Sequence, residues 1–239
     1  MERKNFLKQS LGFLSVATMV NACKKEAVTS TSSGTTSGGC IVAPTEVEGP
    51  YPYVGGEITN PLQRNDITAG QTGLPLSITF EVVDVNNGCA AVSNARVDIW
   101  HCNKDGYYSG YGNQTGGSLG TKSYTGETWL RGYLLAGTDG KVSFQTIYPG
   151  WYQGRATHIH IEVFVNSVLK KTTQVTFSET ISDAVHLTTL YAAHGINTTR
   201  NASDGIFGNS ATDLVNETIA LAGDTSNGYS GSHTIGITL

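Results

Sequence analysis

Apolar and polar residues alternate along Leu76-Ser-Ile-Thr-Phe-Glu-Val-Val-Asp-Val85. A period of two sends successive side chains to opposite faces, so the segment is expected as a strand with one wet face. The pattern recurs in Ala95-Arg-Val-Asp-Ile-Trp-His101, and Trp129-Leu-Arg-Gly-Tyr-Leu-Leu135 and Lys141-Val-Ser-Phe-Gln-Thr-Ile147 read as two further strands. Asn86-Asn-Gly88 supplies a turn after the first strand, and Thr138-Asp-Gly140 reads as a hairpin-type turn joining the last two. His158-Ile-His-Ile-Glu-Val-Phe-Val165 is another strand, expected to pair with Lys170-Lys-Thr-Thr-Gln-Val-Thr-Phe177 across Asn166-Ser-Val168. Glu179–His194 reads as one or two short helices stopped by Gly195, and Ala211–Ala222 as another. Short strands with turn signals at regular spacing predict a mostly-β sandwich or barrel with short C-terminal helices. Thr45-Glu-Val-Glu-Gly-Pro-Tyr-Pro-Tyr-Val-Gly-Gly56 fits neither period, and a loop so rich in aromatics is expected as a lid or a packed Ω-loop.

Composition narrows the partners. The chain has 239 residues, 29 of them glycine, and a formal charge of −4. That is enough for a single β domain with a real core. No basic stripe of the kind nucleic acid needs is present, so small molecules are the expected partners. The first residues do not belong to the domain. Arg3, Lys4 and Lys8 precede the apolar run Leu11–Val20, which is too short to span a bilayer as a stable helix. Val20-Asn-Ala-Cys23 resembles a bacterial lipobox, which implies a signal peptide over 1–22 and a lipid-modified Cys23. Arg3-Lys-Asn-Phe-Leu-Lys8 also resembles a relaxed twin-arginine signal that lacks one arginine. Residues 23–39 are rich in Gly, Ser and Thr and read as a flexible tether reaching roughly 20–25 Å. The domain is then 40–239, on an exported lipoprotein facing the periplasm or the cell surface, with membrane contact through the lipid alone. In an oxidising compartment two of the remaining cysteines are expected to pair. Cys40 and Cys89 occupy loop positions and are the favoured pair, with Cys102 continuing a strand as a small buried residue; sequence leaves the connectivity open.

The chemistry concentrates in Tyr148-Pro-Gly-Trp-Tyr-Gln-Gly-Arg-Ala-Thr-His-Ile-His160. His158 and His160 stand two apart on a strand and therefore share a face, where two imidazoles can hold a metal. Upstream, Trp100-His-Cys-Asn-Lys-Asp-Gly-Tyr-Tyr-Ser-Gly-Tyr111 leaves a strand and enters a glycine-rich loop. A strand ending in Trp-His, then Asp-Gly-x-Tyr-Ser, then Pro-Gly-x-Tyr and Arg-x-x-His-x-His, resembles the intradiol ring-cleavage dioxygenases. The likeness runs from about Glu46 to Phe177 and more loosely to the C-terminus.

The resemblance implies a β-sandwich of the intradiol type and one non-haem Fe(III) per chain, with Tyr108, Tyr152, His158 and His160 as its ligands. Tyr107 is the neighbour that a slip in register would select instead of Tyr108. The resemblance further implies that Arg155 stabilises negative charge on the substrate ring, that Gln174 assists it, and that the Glu48-Gly-Pro-Tyr51 loop lines the pocket through Pro50 and Tyr51. The implied reaction is cleavage of a catechol by O2 to a cis,cis-muconate-type diacid. Two phenolates and a hydroxide would balance a trivalent ion, and hard anionic oxygens favour ferric over ferrous iron. Two other readings of His-x-His compete: a cupin-like Fe(II) or Mn(II) enzyme, and a sandwich lipoprotein that only binds ligands. A cupin needs a Glu several residues on and a distant third His, whereas Glu162 stands only two residues after His160. Catechol 1,2-dioxygenases begin with a helical dimerisation domain where this chain is expected to have only a tether, which resembles small exported members of the superfamily.

Overall fold

The computed structural model describes residues 40–53 and 62–239. The expected signal peptide of 1–22, the expected tether of 23–39 with Cys23, and positions 54–61 lie outside the described residues. In chain order the elements are strands β1 (Pro75–Asp84), β2 (Ala90–Ala91), β3 (Arg96–Trp100), β4 (Gln114–Thr115), β5 (Thr121–Lys122), β6 (Arg131–Leu135), β7 (Lys141–Ile147), β8 (His158–Val165) and β9 (Val168–Phe177). Helices α1 (Glu179–His186) and α2 (Ala211–Glu217) follow, then β10 (Thr218–Ile219), β11 (Leu221–Asp224) and β12 (Gly228–Ile237).

Two mixed sheets carry the fold. One has the order β10-β9-β8-β3-β6; in the other β1 is central, with β12 and β11 on one side and β2 and β7 on the other. The alternating residues explain how they join. Leu76, Ile78, Phe80 and Val82 of β1 and Phe144 of β7 share a buried cluster with Val97 and Ile99 of β3, Ile159, Ile161 and Val163 of β8, and Val175 of β9. Each such side chain, fully buried, is worth about 1.5–3 kcal/mol. The protein is therefore a mostly-β sandwich whose core uses one face of each sheet. The opposite face of β8 is left for His158 and His160.

Two expectations need correction. Thr138-Asp-Gly140 does not close a hairpin: β6 pairs β3 in one sheet, and β7 pairs β1 in the other. The turn instead packs on β1, where Val82 donates to the carbonyl of Gly140 at 2.9 Å. Gly140 has φ +74°, and a Cβ there would lie 2.6 Å from the carbonyl oxygen of Val82. The helix expected over Ala211–Ala222 stops at Glu217, because β-branched Thr218 and Ile219 add to β9 as a parallel edge. Strand β12 is not among the expected elements at all: it runs parallel to β1 and shows only Ile235 and Ile237 as a buried apolar signature.

The aromatic loop is strapped across the sheet from Ala43 to Tyr53. Lys171 Nζ donates to the Ala43 carbonyl at 2.8 Å and to Thr45 Oγ1 at 2.7 Å. The Glu46 amide donates to the Thr172 carbonyl at 3.0 Å, and Gln174 Nε2 to the Val47 carbonyl at 2.8 Å. Cys40 and Cys89 form a disulfide at the strap's start, with Cα atoms 5.6 Å apart, and Cys102 is free and buried. Glu46 also meets Glu217, at the end of α2. Burial first, then the charges of Glu46 and Asp213, push the Glu217 carboxyl up from its ordinary 4.5 to about 8.

A carboxyl raised in the folded state costs nothing where both states are protonated, and costs most once only the unfolded chain has ionised. Stability contributed at Glu217 is thus lost as pH rises from about 4.5 towards 8. Glu217→Gln is expected to raise Tm more at about pH 8 than at about pH 5, by roughly 2–4 °C for each kcal/mol relieved. Equal shifts at the two pH values would show that the pair is not under this strain.

Candidate active site

β8 holds the two histidines in a row of cross-strand neighbours. His160 stands opposite Trp100 on β3 and Gln174 on β9, and His158 opposite Thr176. Directly opposed residues share a face, so Trp100, His160 and Gln174 line up side by side. The indole of Trp100 stacks on the His160 ring at 4.9 Å and 5°. Gly49 of the strap comes so near that a Cβ would lie 2.9 Å from His160 Cε1, and its φ of +76° also favours glycine.

Tyr108 reaches the same place from the loop after β3. Asn103 Oδ1 accepts the amides of Asp105 and Tyr107 at 3.1 and 3.0 Å, which fixes the Asp105-Gly106 turn. Gln114 then brackets the next residue: its Oε1 accepts the Tyr108 amide at 2.6 Å, and its Nε2 donates to the Tyr108 carbonyl at 2.7 Å. Tyr107 turns away and donates its hydroxyl to the Gly120 carbonyl at 2.8 Å.

The result is a triangle of buried donor atoms. Tyr108 Oη lies 3.2 Å from His158 Nε2 and 3.1 Å from His160 Nε2, and the two nitrogens are 3.0 Å apart. His158 Nδ1 sits 2.6 Å from the Ala156 carbonyl, which only accepts. That nitrogen therefore carries the proton, and Nε2 offers a lone pair to the triangle. Burial, and then the charge of Arg155, lower His158 to about 3; burial likewise holds His160 well below its ordinary range. Both imidazoles are neutral at pH 7. Burial pushes the Tyr108 phenol well above 10, so it keeps its proton unless a stronger cation displaces it.

The lone pair of His158 Nε2, the Nε2 of a neutral His160 and one hydroxyl, all facing inward, suit a metal ion. Metal–nitrogen bonds of about 2.0–2.1 Å at roughly right angles set neighbouring donors about 3 Å apart, as here. No group of three or more His, Cys, Asp and Glu side chains able to hold a metal occurs among the described residues. An ion at this position would take its third protein donor from Tyr108.

Tyr152 borders the triangle, with ring centroids 5.5 Å from His158 and 5.7 Å from Tyr108. Its hydroxyl accepts from Arg155 Nη1 at 3.4 Å. Burial raises that phenol to about 12, and the Arg155 charge opposes the rise. Arg155 is itself anchored, donating from Nη2 to Gln174 Oε1 at 2.6 Å and from Nε to Asp204 Oδ2 at 2.8 Å. Tyr51 stacks on Tyr108 at 4.6 Å and 22° and meets Tyr152 edge-on at 5.8 Å. Pro50 is exposed on the strap beside it.

Sequence reasoning missed Asp204, Trp100, Gly49 and Arg131. Asp204 is fully buried, and besides Arg155 it accepts the amides of Ala156 at 2.6 Å and Ile206 at 2.7 Å. The Asp204-Gly205 pair in a loop was its only local signal. Arg131 is buried near Tyr108, 5.9 Å from its ring centroid, and donates to the Tyr51 carbonyl at 2.9 Å. It ties the strap to the Tyr108 loop.

The site is a cluster on a β-sandwich: two histidines on the outer face of one sheet, with Tyr108 and Tyr152 brought against them from loops. Sequence comparison adds the family: the profile described as Dioxygenase matches residues 47–202. The chain is 28% identical over 149 residues to catechol 1,2-dioxygenase 1 of Acinetobacter lwoffii, covering 55% of this chain and 45% of that protein. It thus spans slightly under half the length of this curated relative. Its structure is similar to that of an intradiol ring-cleavage dioxygenase from Tetranychus urticae, with a TM-score of 0.72, 26% identity, and coverage of 83% and 95% of the two chains. The dioxygenase domain of a carbohydrate-binding fusion from Streptomyces sp. SirexAA-E shares the fold, with a TM-score of 0.59, 20% identity, and coverage of 83% and 99%. The protein belongs to the intradiol ring-cleavage dioxygenases, a family of oxidoreductases.

Proposed function

We propose that this protein cleaves a catechol-type diol between its two hydroxyl-bearing carbons, on one non-haem Fe(III) held by Tyr108, Tyr152, His158 and His160. O2 is the co-substrate, and both of its atoms enter a cis,cis-muconate-type diacid. The reading rests on one observation: three buried donors within 3.0–3.2 Å of one another beside the Tyr152–Arg155 pair. Ferric iron, when bound, supplies the Lewis acidity and the electron acceptor that open a coordinated diol to O2.

The chain's own residues do the rest. Tyr108 and the two imidazoles are fixed by their packing and stay in place. Tyr152 is only half-buried, and its hydroxyl is held by nothing stronger than the 3.4 Å contact from Arg155. As a phenolate it would be the member able to move away and take up a substrate hydroxyl proton at its Oη. Arg155, held by Asp204 and Gln174, keeps a fixed positive charge where negative charge develops on the ring. Tyr51, at right angles to Tyr152 and stacked on Tyr108, would wall the place of a planar diol.

Iron-loaded protein is expected to consume O2 with a catechol and to put label from 18O2 into both new carboxyl groups. No uptake across a broad catechol panel would end the enzymatic reading. Tyr152→Phe is expected to keep its iron and lose about 10²-fold or more in turnover; wild-type turnover would remove Tyr152 from this role.

The site's compartment is also part of the proposal. The lipobox-like Val20-Asn-Ala-Cys23 supports an exported chain tethered through Cys23, and a Cys40–Cys89 disulfide suits an oxidising compartment. Cys23→Ser is expected to move the protein from the membrane to the soluble fraction of its host. Wild type already soluble after fractionation would contradict a lipid anchor.

A further inference from the structure

Tyr152 has a second neighbourhood. On the side of Asp105 and Trp151 it borders a surface cleft of about 270 Å³, also lined by Ser118, Gln153, His194 and Thr198. None of these six residues belongs to the donor triangle or holds Arg155. Small-molecule pockets run to about 300–1,000 Å³. This cleft therefore has room for one ring-sized group rather than a whole ligand.

The cleft is built rather than incidental. The indole of Trp151 stacks on the His194 ring at 3.8 Å and 11°, and its Nε1 donates to the Gly195 carbonyl at 2.9 Å. Gly106, with φ +86°, abuts the Trp151 backbone so closely that a Cβ would lie 2.0 Å from its carbonyl oxygen. Across the cleft, a Cβ on Gly116 would lie 2.1 Å from Tyr107 Oη. Two glycines, a stacked pair and an indole hydrogen bond thus hold the wall of this cleft.

The lining decides what kind of group fits. Trp151 and Tyr152 offer aromatic surface, and Ser118, Thr198 and Gln153 offer neutral hydrogen-bonding groups. Asp105 is the one charged side chain of the lining, and Lys104, outside the cleft, meets its Oδ1 at 2.7 Å. Burial holds His194 below its ordinary range, so its imidazole is neutral at pH 7. A carboxylate tail would meet Asp105 and no cation of the lining. A hydroxylated neutral ring would meet acceptors and an aromatic floor.

We infer that the diol substrate is a catechol joined to a second, uncharged and hydroxyl-bearing ring, and that this ring sits in the cleft beside Tyr152. The inference rests on the catechol reading above and adds the class of substituent.

The test compares catechol, caffeic acid and piceatannol on the iron-loaded full-length protein. The last two share a vinyl-linked catechol and differ in bearing a carboxylate or a dihydroxyphenyl ring. Oxygen uptake gives kcat/KM, and calorimetry gives binding without turnover. Piceatannol is expected to exceed caffeic acid by about tenfold or more in both readouts. Ser118→Phe and, separately, Thr198→Phe fill the cleft from exposed positions and are expected to lower the piceatannol-to-catechol ratio about tenfold. Caffeic acid equal to piceatannol, or a ratio unmoved in both variants, would overturn the inference. If no diol consumed O2 the catalytic reading would fail, and calorimetry on wild type and the two variants would still decide the cleft.

Discussion

Two imidazole nitrogens and a phenol oxygen, 3.0–3.2 Å apart and shielded from water, are hard to satisfy with protons alone. One lone pair on His158 is committed to the triangle by the Ala156 carbonyl behind it. Burial keeps both rings neutral, and the phenol has a single proton to share. Much of the surrounding structure serves to keep these atoms converged. β8 is paired on both sides, Trp100 stacks on one ring, Gly49 lets the strap press against it, and Gln114 fixes the peptide of Tyr108. Donors carried by paired strands are held more tightly than donors on free loops.

A second network holds a charge rather than a metal. Arg155 is gripped by Asp204 and Gln174 and touches Tyr152 only at 3.4 Å. A buried ion pair adds little net stability over apolar packing, but it fixes position and direction. Gln174 links the two networks, because its other end holds the strap at Val47 and its strand position opposes His160. Through Gln174 the strap and Arg155 are thus joined by two hydrogen bonds.

Much of this was legible in the sequence, and the reasons differ by residue. His158 and His160 could be placed on one face because strand periodicity is two, and the apolar alternation of β1, β3, β7 and β8 marked the sandwich core directly. Tyr108, Tyr152, Arg155 and Gln174 were named through the spacing of family motifs, which their own chemistry would not have supplied. Asp204 was invisible because its role arises from a contact across 49 residues, in a loop without a pattern. The hairpin expected at Thr138-Asp-Gly140 failed because turn chemistry fixes a local bend and not the sheet that the next strand joins. β12 escaped because most of its length alternates glycine and small polar residues, and its place beside β1 is settled by the tertiary ladder.

The central claim is that phenolates from this chain, together with His158 and His160, hold ferric iron. The most direct measurement is iron content together with the visible spectrum of the reconstituted protein, run beside Tyr108→Phe. The account predicts one iron per chain and a red-brown tyrosinate-to-iron charge-transfer band in wild type, with both reduced in Tyr108→Phe. A colourless protein, or iron and spectrum unchanged in Tyr108→Phe, would contradict it.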